Sequence, residues 1–110
     1  GAPRLLFLAG QVAWDEQQRI VGEGDLARQI EQVLKNIVRL VREAGGVTEN
    51  LVRMTVFVKD KRDYLRRQKE IGAAYRAVMG RHYPVMSLVQ VVDLLEDGAL
   101  VEIEATAAMP

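Results

Sequence analysis

The stretch LVRMTVFVKD (residues 51–60) alternates between apolar and more polar side chains along most of its length. One face carries Val52, Met54, Val56 and Val58, and the other carries Arg53, Thr55, Phe57 and Lys59. A period of two residues is typical of a β-strand, because successive side chains point to opposite sides of a sheet. We therefore predict a strand here, and its position between two helical patterns determines the fold class that we expect.

A long helix is predicted before this strand, over residues 26–44. Its apolar residues recur at helical spacing and form one stripe: Ile30, Val33, Leu34, Ile37, Leu40, Val41 and Ala44. Asp25 has the chemistry of an N-cap, and Gly45-Gly46 favours a helix end. A second helix is predicted from Asp60 or Asp63 to about Met79. Its inward side is expected to carry Leu65, Gln68, Ile71, Gly72, Tyr75 and Val78 or Met79.

Strands account for the remaining apolar runs. RLLFLAGQVAW (4–14) is predicted as a strand, with IVG (20–22) as a short hairpin partner. Further strands are predicted from Pro84 to about Val92 and over residues 99–108. The order β-β-α-β-α-β-β predicts a two-layer α+β fold with both helices on one face of the sheet. Because no linker or repeat interrupts it, we predict a single domain over residues 1–110.

The segment PVMSLVQVV (84–92) is apolar on both faces. Val85, Val89 and Val91 alternate with Met86, Leu88 and Val92. A strand of this kind is normally buried on both sides, yet two helices can cover only one side of the sheet. Another copy of the chain is the simplest cover, which predicts a homo-oligomer. A monomer with one tolerated apolar patch is the competing interpretation.

Composition excludes several classes of function. Fifteen basic and fifteen acidic side chains cancel, so no general field attracts nucleic acid or an anionic membrane. The chain has no cysteine, and its one histidine, His82, is predicted to face solvent in a loop. We therefore expect no cysteine-based or histidine-rich metal site. The absence of a membrane-length apolar run or leader predicts a cytoplasmic protein. The abrupt start at Gly1-Ala2-Pro3 has two explanations: upstream residues are missing, or these three are a remnant of cloning.

Three segments together resemble one family. LLFLAGQVAWD (5–15), LVRMTVFVKDKRDY (51–64) and GALVEIEATA (98–107) are similar, in order and spacing, to motifs of the RidA/YjgF reactive-intermediate deaminases. The resemblance implies a chorismate-mutase-like fold, a homotrimer, and small-molecule clefts between subunits. It also implies cofactor-free hydrolysis of enamines and imines, such as 2-aminoacrylate, to a keto acid and ammonia.

The resemblance also assigns site residues. Glu102 matches the family's cleft glutamate and is the predicted catalytic group, orienting a water. Gly10 matches a glycine that allows close approach of a ligand, and Ala9 stands where the family has a serine. Leu88 matches a position whose backbone holds water or substrate. The family's N-terminal strand, which brings an aromatic residue to the cleft, has no counterpart here.

The predicted substrate-binding set also includes Met86 and the adjacent Ser87. Met86 stands where the family keeps its carboxylate-binding arginine. Methionine cannot bind a carboxylate as a guanidinium does, so this position weakens the expectation of imino-acid hydrolysis. A replacement cation from Arg4, Arg53 or a neighbouring subunit would restore it.

Two questions remain open at the level of sequence. Glu102 and Glu104 are predicted on the face away from the helices, about 7 Å apart, where either forms a structural pair with Arg53 or Lys59 or serves a ligand. The second question is whether the expected trimer is a deaminase or a non-catalytic ligand-binding or interaction protein. Ribonuclease ranks third, because no stacking aromatic residues accompany the basic clusters at Lys59–Arg62 and Arg66-Arg67.

Overall fold

A computed structural model describes residues 2–110 and contains a helical layer on one face of a four-stranded sheet. The strands are β1 (Arg4–Gln11), β2 (Leu51–Val58), β3 (Val85–Gln90) and β4 (Val101–Met109). The α-helices are α1 (Leu26–Glu43), α2 (Lys61–Arg66) and α3 (Gln68–Met79), and a 3₁₀ turn spans Thr48–Asn50. The predicted two-layer α+β class is confirmed. None of the helices in the described part of the chain is long and apolar enough to cross a membrane.

The sheet order is β1-β4-β2-β3, which places the last strand of the chain in the interior. β4 pairs antiparallel with both β1 and β2, and β3 pairs parallel with β2 at the sheet edge. The helices cover one face, with α3 packed against α1. The other face, which we call the open face, is uncovered within a single chain.

Two buried amides anchor α1 to the surrounding loops. Gln29 donates to the carbonyl oxygens of Gly22 (3.2 Å) and Gly98 (3.0 Å) and accepts from the Leu100 N–H (2.8 Å). Asn36 donates to the Val12 carbonyl at 3.2 Å. Both side chains are buried, and these bonds satisfy polar groups that would otherwise destabilise the core.

The predicted second strand, at residues 20–22, is reduced to a single β-bridge between Trp14 and Ile20. The Asp15 carboxylate organises the intervening turn by accepting from the backbone N–H groups of Gln17 (2.8 Å) and Arg19 (3.0 Å). These bonds, led by that from Arg19, lower the pKa of Asp15. Because the chain then turns at Gly22 (φ 74°) toward α1, the ladder cannot continue.

The predicted second helix is divided. Arg67 departs from α-helical geometry (φ −110°, ψ 21°), which separates α2 from α3. Of the two predicted caps, Asp60 and Asp63, it is Asp60 that caps α2. Its carboxylate accepts hydrogen bonds from the Arg62 and Asp63 N–H groups. Leu65, predicted to face inward, is 58% exposed, because α3 rather than α2 packs against α1.

Three further features depart from the prediction. A register shift between Leu51 and Arg53 buries Leu51 and leaves Val52 exposed, because a bulge interrupts strict alternation. β3 ends at Gln90 and is exposed on both faces, since it lies at the sheet edge. His82 is partly buried rather than solvent-facing, because its Nε2 lies 2.6 Å from the Leu51 carbonyl oxygen.

Candidate functional site

The open face carries a mixed apolar and charged surface. Alternation along the strands places the following side chains on it: Leu5, Phe7 and Ala9 of β1, Glu102, Glu104 and Thr106 of β4, Arg53, Thr55 and Phe57 of β2, and Val85, Ser87 and Val89 of β3. Phe7 is 74% exposed and Val85 72% exposed. Exposed apolar side chains of this size on one face of a sheet are typical of an interaction surface.

Gly10 and Glu102 lie in direct proximity on this face. A Cβ atom at Gly10 would overlap the carboxylate of Glu102, so the missing side chain of glycine makes room for that group. The room arises where the β1–β4 register shifts between Leu8 and Gln11. Glu102 is half-buried as a result. The structure therefore brings together two of the residues that the sequence predicted.

Glu104 lies on the same strand face, beside an open depression of about 530 Å³. The depression is lined by Phe7, Leu8, Ala9, Arg53, Thr55, Glu104, Ala105 and Thr106. Ala9 thus lies near the predicted site but contributes only a methyl group.

The predicted Glu–Arg or Glu–Lys pair is not formed within residues 2–110. There, neither Glu102 nor Glu104 has an ion-pair partner, and Lys59 instead contacts Asp93 at 3.1 Å. A half-buried carboxylate without a cation keeps its oxygens available as hydrogen-bond acceptors. Glu102 can therefore orient a water molecule.

Met86 and Leu88 face the helical layer, on the opposite side of the sheet from Glu102. Both line a small apolar cavity together with Tyr75, and their strand neighbours Met54 and Val56 belong to the core. Ser87, between them, points to the open face opposite Thr55. The predicted site residues therefore divide into an open-face group of Ala9, Gly10, Ser87 and Glu102 and a β3 group of Met86 and Leu88, whose side chains lie on opposite faces of the sheet in a single chain.

Two tyrosines adjoin the β3 group. The rings of Tyr75 and Tyr83 stack with centroids 5.1 Å apart and planes 8° from parallel. The Tyr75 hydroxyl donates to the His82 carbonyl at 2.5 Å, and burial, followed by the proximity of Tyr83, raises the pKa of Tyr75 to about 12. Helical spacing predicted an inward Tyr75, but no sequence signal indicated Tyr83, which lies in a loop.

Metal ligands do not cluster in the region that the structure describes. Residues 2–110 contain no group of three or more histidine, aspartate or glutamate side chains arranged to hold an ion.

Comparison with known proteins identifies the class. The family described as Endoribonuclease L-PSP matches residues 2–109. The RutC family protein slr0709 of Synechocystis is 40% identical over 96% of this chain and 79% of its own length. The 2-iminobutanoate/2-iminopropanoate deaminase of Salmonella typhimurium is 34% identical over 94% of this chain and 78% of its own.

Comparison with solved structures supports the same family. The Rid family protein YyfB of Yersinia pestis superposes with a TM-score of 0.85 at 33% identity, over 96% of this chain and 79% of its own. Fold and sequence thus define a Rid-type α+β protein. The chain belongs to the RidA/YjgF family.

Proposed function

We propose that this protein assembles as a homotrimer and hydrolyses a small imine or enamine in clefts between its subunits. The observation that carries the proposal is the Glu102 carboxylate, half-buried against Gly10 on the open face. Such a group can hold a water beside a ligand that approaches the glycine backbone. The deaminase name of the Salmonella relative supports the same class of reaction.

Assembly is part of the proposal, because one chain holds only half of the predicted site. Glu102 and Met86 lie on opposite faces of the sheet, so a cleft lined by both must draw them from two subunits. The exposed Phe7 and Val85 support burial of the open face against a neighbour. Three copies would then create three equivalent clefts.

The chemistry requires only water and a proton acceptor. Water adds to the carbon of the C=N bond, and Glu102 accepts a proton from that water as the C–O bond forms. The protonated Glu102 returns this proton to the nitrogen, which gives a neutral carbinolamine. Transfer of the hydroxyl proton to the nitrogen, through Glu102, then releases ammonia as the C–N bond breaks and the carbonyl group forms. The balance is one imine and one water to one carbonyl compound and one ammonia. Proton transfer by a positioned side chain contributes roughly 10²–10⁴-fold to such a rate.

Met86 determines which substrates we expect. By the resemblance of residues 84–87 to the family's motif, Met86 stands in place of the family's arginine, and a methionine offers no charge-assisted hydrogen bond to a carboxylate. We therefore propose a neutral or weakly acidic substrate, and slow turnover of 2-iminopropanoate.

Ammonia release from freshly generated imines tests the proposal. We expect Glu102→Gln to lower kcat/KM at least 100-fold, because the amide cannot accept the proton. Glu104→Gln is the matched control, since Glu104 lies on the same face of the same strand. Equal losses in the two variants, or full activity in Glu102→Gln, would contradict the catalytic role.

A second candidate, a non-catalytic ligand-binding trimer, is favoured by Met86. The ligand-binding candidate replaces the hydrolase if no imine is turned over and a metabolite nevertheless raises the melting temperature of the protein. Ribonuclease activity is less well supported, because Arg66 and Arg67 both contact Asp63, at 3.5 and 2.8 Å, rather than forming a free basic patch.

A further inference from the structure

A small cavity lies between β3 and the helical layer. Its volume is about 40 Å³, and its lining includes Met54, Tyr64, Ile71, Tyr75, Met86 and Leu88. All of its lining side chains are aliphatic, aromatic or methionine. A cavity of this composition favours an apolar group over water or an ion.

The wall beside Met86 offers little to a polar ligand. The Tyr75 hydroxyl already donates to the His82 carbonyl, and the ring is held by the stack with Tyr83. With a pKa of about 12, Tyr75 also remains uncharged at neutral pH. A carboxylate that entered would find no cation among the side chains that line the cavity, and its desolvation cost would be large.

Met86 connects the cavity to the exterior. Its side chain lines the cavity and is nevertheless 43% exposed. Methionine has three rotatable bonds and adapts to irregular contacts, so it can move aside without disturbing the strand. The residue that lacks the charge to bind a carboxylate thus covers an apolar space of about 40 Å³, which is enough for a few methylene-sized groups.

We propose that this cavity is a specificity pocket, which takes the short aliphatic chain of an uncharged imine or of its carbonyl product. The assignment of the pocket to the reactive cleft rests on the proposed function. At about 10–15 Å³ for each water-sized group, the space holds roughly three methylene-sized groups. The substrate class is therefore an imine without a carboxylate, with a chain of about three carbons beyond the reacting carbon.

Binding of a homologous series tests the pocket without requiring turnover. The probes are 2-oxo amides with side chains of one to six carbons, titrated by calorimetry into the whole protein, alongside the corresponding 2-oxo acids. We expect the amides to bind about fourfold more tightly for each added methylene, up to roughly three, and then no further. The acids are expected to bind more weakly at every length.

Variants at Met86 test whether the dependence of affinity on chain length arises at this cavity. Met86→Ala enlarges the pocket, so the preferred chain should become longer. Met86→Arg should reverse the preference from the amide to the acid. Val52→Ala is the matched control, because Val52 is equally exposed, at 43%, but does not line the cavity. Val52→Ala should leave the dependence of affinity on chain length unchanged. If Met86→Ala does not fold, Met86→Leu takes its place.

The outcomes separate the two proposals. Glu102-dependent ammonia release without any dependence of affinity on chain length would overturn the pocket and leave the hydrolytic function standing. A chain-length optimum that shifts in Met86→Ala, without turnover of any imine, would support the pocket and overturn hydrolysis. An optimum that is the same in Met86→Ala and the native protein would also overturn the pocket.

Discussion

Gly10 and Glu102 illustrate how one missing side chain can determine the position of another. The carboxylate occupies space that a Cβ at residue 10 would claim. The atoms that such a Cβ would meet are the far end of a flexible side chain, so the glutamate rather than the backbone would move. The two residues therefore act as one unit in the proposed mechanism.

Gly10→Ala is expected to displace the Glu102 carboxylate and to lower kcat roughly 10–100-fold, because small displacements of a catalytic group are costly. The free energy of unfolding should change by less than about 1 kcal/mol, since the site is exposed. Ammonia release and thermal denaturation measure the two effects. Unchanged activity would show that the contact with Gly10 does not position the carboxylate.

Single residues were predicted well where alternation is regular. Glu102 and Glu104 face away from the helices, as expected, because β4 has no bulge along its pairing with β2 from Val101 to Ala105. Val52 was placed on the wrong face, because the bulge beside Leu51 depends on pairing with β4 and leaves no mark in the local pattern.

At the scale of the element, helices begin and end where local chemistry predicts. Asp25 caps α1 by accepting from the Arg28 N–H at 3.1 Å, and Gly45 follows its end with φ 93°. The break at Arg67 was not predicted, because its side chain and its neighbours all favour a helix. Capping chemistry therefore predicted the helix termini, whereas helix propensity gave no sign of the internal division.

Gly72 in α3 provides a test at this scale. Gly72→Ala should raise the free energy of unfolding by about 0.5–1 kcal/mol, because glycine is costly inside a helix. The new Cβ would approach only the flexible end of Arg76, at 3.2 Å from Nη1. Chemical denaturation measures the gain, and activity should be unchanged.

Gly46→Ala is the contrasting variant. Its Cβ would meet the Met109 sulfur at 2.6 Å in a buried position, so stability should fall. A loss of stability in Gly72→Ala would mean that Arg76 cannot move aside.

At the scale of the whole molecule, the main feature is the open face, which a single chain leaves uncovered although it carries exposed apolar side chains. Its apolar residues and the uncovered edge strand β3 are the basis for proposing assembly, and the family resemblance is the basis for proposing three subunits. Because the two groups of site residues lie on opposite faces, assembly and activity should be lost together.

Phe7→Lys is expected to convert the proposed trimer to monomers, because the ammonium group would lose hydration at the contact between subunits. Light scattering coupled to size-exclusion chromatography measures the mass, and ammonia release should fall in parallel. Leu65→Lys is the control, as Leu65 is 58% exposed but lies on α2. A monomeric native protein, or a trimer that persists in Phe7→Lys, would contradict the assembly.

The two-layer class, the long helix, most strand faces and the family could be predicted from the amino-acid sequence, because periodicity and capping are local properties and the motifs are short. Tertiary structure alone decided the β1-β4-β2-β3 order, the bulge at Leu51 and the contact between Gly10 and Glu102. It also placed Met86 over an apolar cavity rather than beside Glu102. These features depend on which strands pair and in what register, and residues distant in the chain set both.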